Sequence, residues 1–397
     1  MAATILLTAW VLPPEVVGLY TWVALCYGLL QSVFDAAIRQ VAVSALDEDP
    51  RLLSVYVRVY AIVGPATIAA IIVVLTVVSS PQAMSLLPVM LAPVAVALAT
   101  RSVARLQRAG QWLSLATGQS VATIVTCAIS LPLLVLTGQI WVTGAQLLML
   151  EALNAVWVVY KARKLPGVDP LTNRIQVPGE LRRAFYGSSA YAALSWGQGQ
   201  GDRLGVGLLA GTGSLASYSL ASSLGRTAAE AMGASSANVL RVTLFAAEPT
   251  DHRRLAEHAS LRSVLMVGTI GIVVAIVSVA VLPLLLAAQW HPALKIVPIL
   301  SGSGALAVVG YLTTVVLIVN GRVRLGTIAK SLGLFAAVPI AFASTVSLTA
   351  AAVGVLGREL LVLLLLLLIA GRQAPWRAAC VAILVAVATS AMTLIVP

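Results

Sequence analysis

The sequence predicts an all-α integral membrane protein, and three observations support that fold class. Of the 397 residues, 60% are hydrophobic and only 10% are charged, whereas a soluble domain carries about 25% charged residues. The mean hydropathy is +0.99. Apolar runs of the length that a helix needs to cross a bilayer, about 20 residues, recur along the whole chain. The polar residues are too few to cover a water-soluble globule of this size, so a bilayer is the expected solvent.

Thirteen apolar runs are candidate membrane spans. They lie at 2–12, 16–38, 53–78, 83–100, 112–136, 140–160, 184–210, 214–240, 262–288, 296–319, 325–347, 349–371 and 376–396. The first run is too short to cross the hydrocarbon core. It also lacks the basic start and the small-residue cleavage site of a signal peptide, so we interpret it as a truncated first helix. We therefore predict about 12–13 transmembrane helices.

The placement of the basic residues predicts the orientation. Of the 25 Lys and Arg, nineteen follow even-numbered spans, two (Lys295 and Arg358) follow odd-numbered spans, and four lie within spans. This asymmetry is the positive-inside pattern of membrane proteins, so the connections after even-numbered spans are cytoplasmic. The formal net charge of +11 therefore reflects topology, and no nucleic-acid partner is predicted.

The cysteines and histidines predict neither a disulfide framework nor a metal site. All cysteines lie in apolar runs and are expected to be buried, unpaired thiols, whereas the histidines are scattered over connections. These residues are Cys26, Cys127, Cys380, His252, His258 and His291. No metal or other cofactor is predicted.

One long polar connection divides the spans into two sets of six. It contains "KARKLPGVDPLTNRIQVPGELRR" with three prolines. We predict an N-terminal six-helix lobe at 1–164, a cytoplasmic linker at 165–183, a C-terminal six-helix lobe at 184–371 and an extra transmembrane helix at 376–397. "GLYTWVAL" is echoed by "ASYSLASS", and "QRAGQWLSLATG" by "IVNGRVRLGTIA", at equivalent positions of the two lobes. These echoes indicate an internal repeat, as in many transporters.

Several motifs resemble those of polysaccharide-unit flippases. "LPPEVVGLYTWVALCYGLLQSVFDAAIRQ" is similar to the opening of that family, with Pro13 at the position of its usual glycine. "GDRLGVGLLAGTGSLASYSLASSLGR" resembles the hairpin of its seventh and eighth helices, including a mid-helix aspartate, Asp202. "VLRVTLFAAEP" and "VNGRVRLG" resemble the ends of spans eight and ten. Each motif is degenerate, and the resemblance rests on their order across residues 10–370.

This resemblance implies the multidrug/oligosaccharidyl-lipid/polysaccharide exporter superfamily. Its members have two six-helix lobes around a central cavity and transport by alternating access. The implied substrate is a polyprenyl-diphosphate-linked glycan, and the implied location is the cell (cytoplasmic) membrane. Membrane lipids and other polysaccharide-assembly proteins are the further partners that the resemblance implies.

Ionisable residues at membrane depth are candidates for function, because they are costly in lipid and face a cavity or one another. Counting about 1.5 Å per residue from the "GTG" turn puts Arg226 near the midplane and within reach of Asp202. Arg226 and Glu230 are four apart and share a helix face. We predict that Arg203 and Arg226 bind the diphosphate, while Asp202 and Glu230 balance charge or couple an ion. The alternative is that these pairs only hold two helices together.

The stretch "SWGQGQGDRLGVGLLAG" at 195–211 has glycines at alternating positions. A phosphate-binding loop is excluded because no strand precedes it and both flanks are transmembrane. The glycines are instead expected to allow close helix packing or a bend. Gln198 and Gln200 offer amide donors to sugar hydroxyls, with simple helix packing as the alternative.

The first lobe offers a second group of ionisable residues. Asp35 and Arg39 are four apart at the cytoplasmic end of the second span, and Arg58 lies near them in height. We predict that Arg58 binds the diphosphate, with Asp35 balancing its charge; the alternative for both arginines is contact with lipid headgroups. Glu151, close to Asn154 in the sixth span, is predicted to pair with a first-lobe arginine or to carry a coupling proton.

Two other charged groups receive structural interpretations. Lys330, one turn inside its span, is expected to extend to the interface. Arg358 and Glu359 are interpreted as an interfacial pair near the outer end of their span.

The predicted function is the flipping of a lipid-linked oligosaccharide from the cytoplasmic to the outer leaflet. The chain is not expected to be an enzyme, and no catalytic residue is assigned. A cation-coupled drug extruder of the same fold is one alternative, disfavoured by three arginines within the membrane. A membrane polysaccharide polymerase or ligase is another, disfavoured because every outer connection is short.

Overall fold

The computed structural model describes residues 2–35, 50–165, 178–248 and 251–395, and within these ranges the chain contains helices and turns but no strand. The α-helices are α1 Ala2–Val11, α2 Pro14–Leu30, α3 Pro50–Val78, α4 Ala92–Arg108, α5 Trp112–Thr137, α6 Trp141–Arg163, α7 Pro178–Ala246, α8 His252–Ala280, α9 Leu282–Leu285, α10 His291–Val319, α11 Val323–Phe335, α12 Ala337–Val346, α13 Leu348–Ala370 and α14 Trp376–Ala391.

The predicted membrane fold is confirmed. The described ranges contain 11 segments long and apolar enough to cross a bilayer. One of them, 192–241, covers two predicted spans at once, because α7 runs through the turn between them. The first predicted span corresponds to α1, which has 10 residues and so extends only about 15 Å. Large apolar side chains stay exposed on the outside of the helices, among them Val77, Leu136 and Val346, as lipid contact requires.

Gly211 divides α7 into two arms, α7a (178–210) and α7b (212–246). Its backbone has φ 87° and ψ 176°, which is not helical and which glycine adopts far more readily than other residues. This turn lies in the "GTG" stretch, where the sequence predicts a connection between two spans. It makes α7a and α7b a hairpin. Side chains that are a similar number of residues from Gly211 on the two arms therefore lie at similar levels along the hairpin.

The α-helical backbone is interrupted at two places. The stretch Pro81–Leu91 is 3₁₀-helical and contains Pro88; proline lacks the N–H that an α-helix needs. The end of α2 continues as a π-helical turn over Gln31–Asp35. Wider turns of this kind occur mostly as single insertions in α-helices and often at functional sites.

The chain forms two compact units. The N-terminal unit is Leu19–Gly197, and the C-terminal unit combines Met1–Gly18 with Gln198–Pro397. Within the N-terminal unit, α6 packs on α4, on α5 and on the 3₁₀ stretch Pro81–Leu91. The lobe and linker bounds at 1–164, 165–183 and 184–371, with the extra helix at 376–397, stay a prediction.

The core of the C-terminal unit is built around α10. This helix packs against α8, α13 and α14, and 83% of its most apolar stretch is buried. A helix that is apolar on all sides is expected to be enclosed by others in this way. At the edge of the same unit, the start of α2 lies against the α7 turn: a Cβ on Gly18 would overlap the backbone of Thr212. Only glycine permits that approach.

The cysteines are unpaired, as predicted, but the expectation that all three are buried is wrong. Cys26 and Cys127 are half-buried, and Cys380 on α14 is exposed. An apolar run does not distinguish a helix face turned to lipid from one turned to protein, because both are apolar.

Candidate functional site

Asp202 lies on α7a and is completely buried, with 0% of its surface exposed. Its Oδ1 accepts the backbone N–H of Arg203 at 3.0 Å. Its Oδ2 accepts the Tyr218 hydroxyl at 2.8 Å and lies 3.4 Å from Nη1 of Arg226. Both carboxylate oxygens therefore have partners, as burial of a charge requires.

Arg226 on α7b is the centre of the site and is only 2% exposed. Its Nη1 lies 3.4 Å from Asp202, its Nε 3.7 Å from Oε1 of Glu230, and its Nη2 3.4 Å from Oε1 of Glu359. These distances confirm that Asp202 reaches Arg226 across the hairpin and that Glu230 shares the Arg226 helix face. One guanidinium thus contacts three carboxylates from α7a, α7b and α13.

The interpretation of Arg358 and Glu359 as an interfacial pair is wrong. Arg358 Nη2 donates to Oε1 of Glu359 at 2.6 Å, and the two residues are 3% and 8% exposed. Arg358 is the eleventh residue of α13, about 15 Å from the start of the helix, which is mid-membrane depth. Within the described ranges, Nε and Nη1 of Arg358 have no hydrogen-bond partner.

The buried charges balance. Arg203 is half-buried, and its Nη2 donates to Oγ of Ser222 at 2.9 Å. The site thus holds three carboxylates and three guanidiniums, formally neutral in sum: Asp202, Glu230, Glu359, Arg203, Arg226 and Arg358. We call these six residues with Tyr218 the charge cluster. Removing one of the six charged members leaves a charge uncompensated in a medium of low dielectric constant.

The glycine-rich part of α7a packs closely on α12, as predicted. A Cβ on Gly201 would lie 3.3 Å from Cβ of Ala337, and one on Gly205 would overlap Ala341. Gln198 lies beside Gly333, with its Nε2 3.2 Å from the position of a Cβ there. The Oε1 of Gln200 is buried and has no hydrogen-bond partner in the described part of the chain.

The N-terminal unit holds the other predicted carboxylate, Glu151, which is half-buried on α6. Its Oε1 accepts the Tyr27 hydroxyl at 2.8 Å and lies 3.5 Å from Nε2 of Gln31. Both partners come from the end of α2. These two contacts are with neutral polar groups; the predicted pairing of Glu151 with an arginine, and its predicted role in carrying a coupling proton, stay predictions.

The remaining predicted residues are described only in part. Arg58 on α3 is exposed. The backbone of Asp35 ends the π-helical turn, but its side chain lies outside the described structure, as does that of Lys330. All of Arg39 also lies outside the described residues.

Sequence reasoning missed Tyr218 and Glu359 as members of the charge cluster. Tyr218 has a signal, since a tyrosine hydroxyl buried in a membrane helix needs a partner and Asp202 is opposite it on the hairpin. Glu359 has no such signal in the sequence, because its contact with Arg226 comes from the packing of α13 beside α7 and joins positions more than a hundred residues apart. The described residues contain no group of three His, Cys, Asp or Glu side chains placed to hold a metal ion.

Comparisons with known proteins agree with this architecture. A family model described as "Polysaccharide biosynthesis protein" matches residues 5–295. No curated protein matches the chain in sequence.

Two solved folds cover nearly the whole chain. A lipid II flippase, MurJ, in its inward closed conformation is similar with a TM-score of 0.72 at 11% identity, over 99% of this chain and 96% of that one. A multidrug resistance MATE family transporter of the MOP superfamily, inward-facing, is similar with a TM-score of 0.66 at 13% identity, over 99% and 95%. At these identities the likeness shows the fold.

Proposed function

The chain belongs to the polysaccharide biosynthesis protein family, and we propose that it flips a polyprenyl-diphosphate-linked oligosaccharide across the cell membrane. Transport runs from the cytoplasmic to the outer leaflet by alternating access. No covalent bond is made or broken, so the chain acts as a transporter and not as an enzyme.

The family match over residues 5–295 carries this proposal. The fold adds support, because the lipid II flippase whose structure is similar is named for moving a lipid-linked substrate. The eleven segments able to cross a bilayer in the described part of the chain suit a multi-pass membrane location.

The geometry favours different roles for the three predicted diphosphate-binding arginines. Arg58 is exposed, and the half-buried Arg203 donates from Nη2 to the neutral hydroxyl of Ser222. We assign diphosphate binding to these two, because guanidinium groups bind phosphate strongly and bidentately. Arg226 is surrounded by three carboxylates, so we assign it to charge balance. Gln198 and Gln200 remain assigned to sugar hydroxyls.

The four predicted carboxylates, Asp35, Glu151, Asp202 and Glu230, are assigned to charge balance or ion coupling. Of these, Glu230 is the most open within the charge cluster, with 34% of its side chain exposed. A carboxylate that is both paired and accessible is the kind of group that exchanges a proton during transport.

A complementation assay tests the function. A strain that lacks its own polysaccharide-unit flippase is scored for surface glycan after expression of wild type, Arg203→Ala, Arg203→Lys and the control Arg241→Ala, an exposed arginine on α7b. We expect wild type and the control to restore glycan, Arg203→Ala to fail at equal membrane levels, and Arg203→Lys to restore it partly.

A transport assay separates the proposed function from its alternative. Purified protein in proteoliposomes is given a fluorescent polyprenyl-diphosphate disaccharide, and flipping is read as loss of access to a membrane-impermeant quencher. Failure to flip this lipid, together with raised drug resistance in cells, would overturn the proposal in favour of a drug extruder.

A further inference from the structure

Three chemically different side chains come together beside one turn of α2 in the N-terminal unit. The indole Nε1 of Trp196 lies 3.3 Å from the position that a Cβ on Gly28 would occupy. Gln31 is three residues further along α2 and therefore on the same helix face. Its Nε2 lies 3.5 Å from the carboxylate of Glu151. The absence of a side chain at Gly28 is what lets the indole lie against the helix here.

These groups lie at membrane depth and none is fully enclosed. Glu151 is near the middle of α6, about 15 Å from its first residue, Trp141. Trp196, Gln31 and Glu151 are all half-buried. A half-buried carboxylate at this depth faces water or polar groups and not lipid, because exposure of the charge to hydrocarbon is costly.

The local backbone and Tyr27 orient the polar members. Gln31 begins the π-helical turn Gln31–Asp35, a feature that recurs at functional sites. The buried Tyr27 donates its hydroxyl to Oε1 of Glu151 at 2.8 Å, which fixes the carboxylate beside the amide of Gln31. We call Tyr27, Gln31, Glu151 and Trp196 the Gln31 cluster.

We propose that the Gln31 cluster binds a sugar ring of the lipid-linked glycan, an inference that rests on the proposed function. A sugar ring has an apolar face that packs on an indole and hydroxyls that both donate and accept. Glu151 accepts hydrogen bonds, and the Gln31 amide both donates and accepts them. Binding sites for small polar molecules combine an aromatic wall with a few fixed polar groups in this way.

The chemistry of the Gln31 cluster also bears on other ligands. None of its four members is cationic, so the cluster itself offers the lipid's phosphates no positively charged group. An organic cation would contact an indole and a carboxylate, so the binding test includes one.

Binding measurements on the full chain in lipid nanodiscs test this inference. The probes are farnesyl diphosphate, farnesyl diphosphate carrying one glucose, galactose or N-acetylglucosamine, and tetraphenylphosphonium as an organic cation. The proteins are wild type, Trp196→Ala, Trp196→Phe, Gln31→Ala and the control Trp112→Ala, an exposed tryptophan of the same unit.

We expect wild type to bind at least one glycosylated probe about tenfold more tightly than farnesyl diphosphate, which corresponds to about 1.4 kcal/mol. Trp196→Ala and Gln31→Ala should each abolish or reduce this gain without changing the affinity for farnesyl diphosphate. Trp196→Phe and Trp112→Ala should keep it. If Trp196→Ala is not monodisperse, the loss of the sugar-dependent gain in affinity is measured with Gln31→Ala alone.

The opposing outcomes are distinct. No gain from any sugar in wild type, or a gain that survives both substitutions, overturns the sugar site while leaving the proposed function intact. Binding of tetraphenylphosphonium that depends on Trp196, without a sugar gain, makes the Gln31 cluster a cation site. Failure of wild type to bind farnesyl diphosphate at all overturns the proposed function itself, and the sugar site with it.

Discussion

The hydroxyl of Tyr218 donates a hydrogen bond to Oδ2 of Asp202 at 2.8 Å, and neither residue has any exposed surface. This contact joins the two arms of the α7 hairpin at the position where Arg226 also approaches Asp202. The charge cluster therefore links the two arms of this hairpin within the C-terminal unit.

Tyr218→Phe is expected to destabilise the protein by about 1.5–3 kcal/mol, because it removes a hydrogen bond to a buried charge. Thermal unfolding of the purified protein in detergent measures this. Tyr186→Phe, at an exposed tyrosine of α7a, is the control and should unfold like wild type. Equal unfolding temperatures for Tyr218→Phe and wild type would show that the contact contributes nothing.

Arg226→Ala is expected to lower the free energy of unfolding by about 3–5 kcal/mol, because it leaves three carboxylates without the guanidinium that they share. The measurement is the fraction of protein that remains monodisperse after heating. Adding Glu230→Gln to Arg226→Ala should recover part of the loss, because Glu230 loses its arginine partner in the single variant, whereas Glu359 keeps its contact with Arg358. A single variant as stable as wild type would contradict the assignment of Arg226 to charge balance.

Gly205→Ala is expected to destabilise the packing of α7a on α12 by about 1–3 kcal/mol, since the added Cβ meets Ala341. Combining it with Ala341→Gly should restore most of the stability. Gly199→Ala is the matched control on the same helix, where a Cβ meets nothing within 4 Å. That variant should be neutral or slightly stabilising, because alanine favours a helix by about 1 kcal/mol over glycine.

Gly18→Ala is expected to disturb the contact between α2 and the α7 turn, because the added Cβ overlaps the backbone of Thr212 and backbone cannot rotate away. We expect a lower unfolding temperature and reduced glycan in the complementation assay. Gly357→Ala, at a helical glycine with open space around it, serves as the comparison. If Gly18→Ala has the unfolding temperature and the surface glycan of wild type, α2 and the α7 turn can move apart without loss of stability or function.

Much of the fold is predictable because membrane helices are marked by local properties. Apolar length marks most of the long helices, although it predicts neither the four-residue α9 nor the break between α11 and α12. The "GTG" sequence marks the turn at Gly211. The approach of Asp202 to Arg226 follows from counting helix rise on either side of that turn. These predictions need only the sequence near each element.

The rest of the charge cluster depends on helix packing that no local pattern encodes. Glu359 joins Arg226 because α13 lies beside α7, and the sequence gives no distance between those helices. The interpretation of Arg358 as interfacial is wrong because its position along α13 is central. The Gln31 cluster likewise depends on α6 and α7a meeting the same turn of α2.

The division of the chain into units has a consequence for its biogenesis. The N-terminal unit is one continuous segment, whereas residues 1–18 belong with residues that begin at 198. At synthesis rates of about 5–20 residues per second, these partners leave the ribosome roughly 10–40 s after the first helix. During that interval Leu19–Gly197 is free to assemble by itself, whereas α1 lacks the partners that begin at residue 198. The order of translation therefore makes α1 one of the last helices to complete its packing.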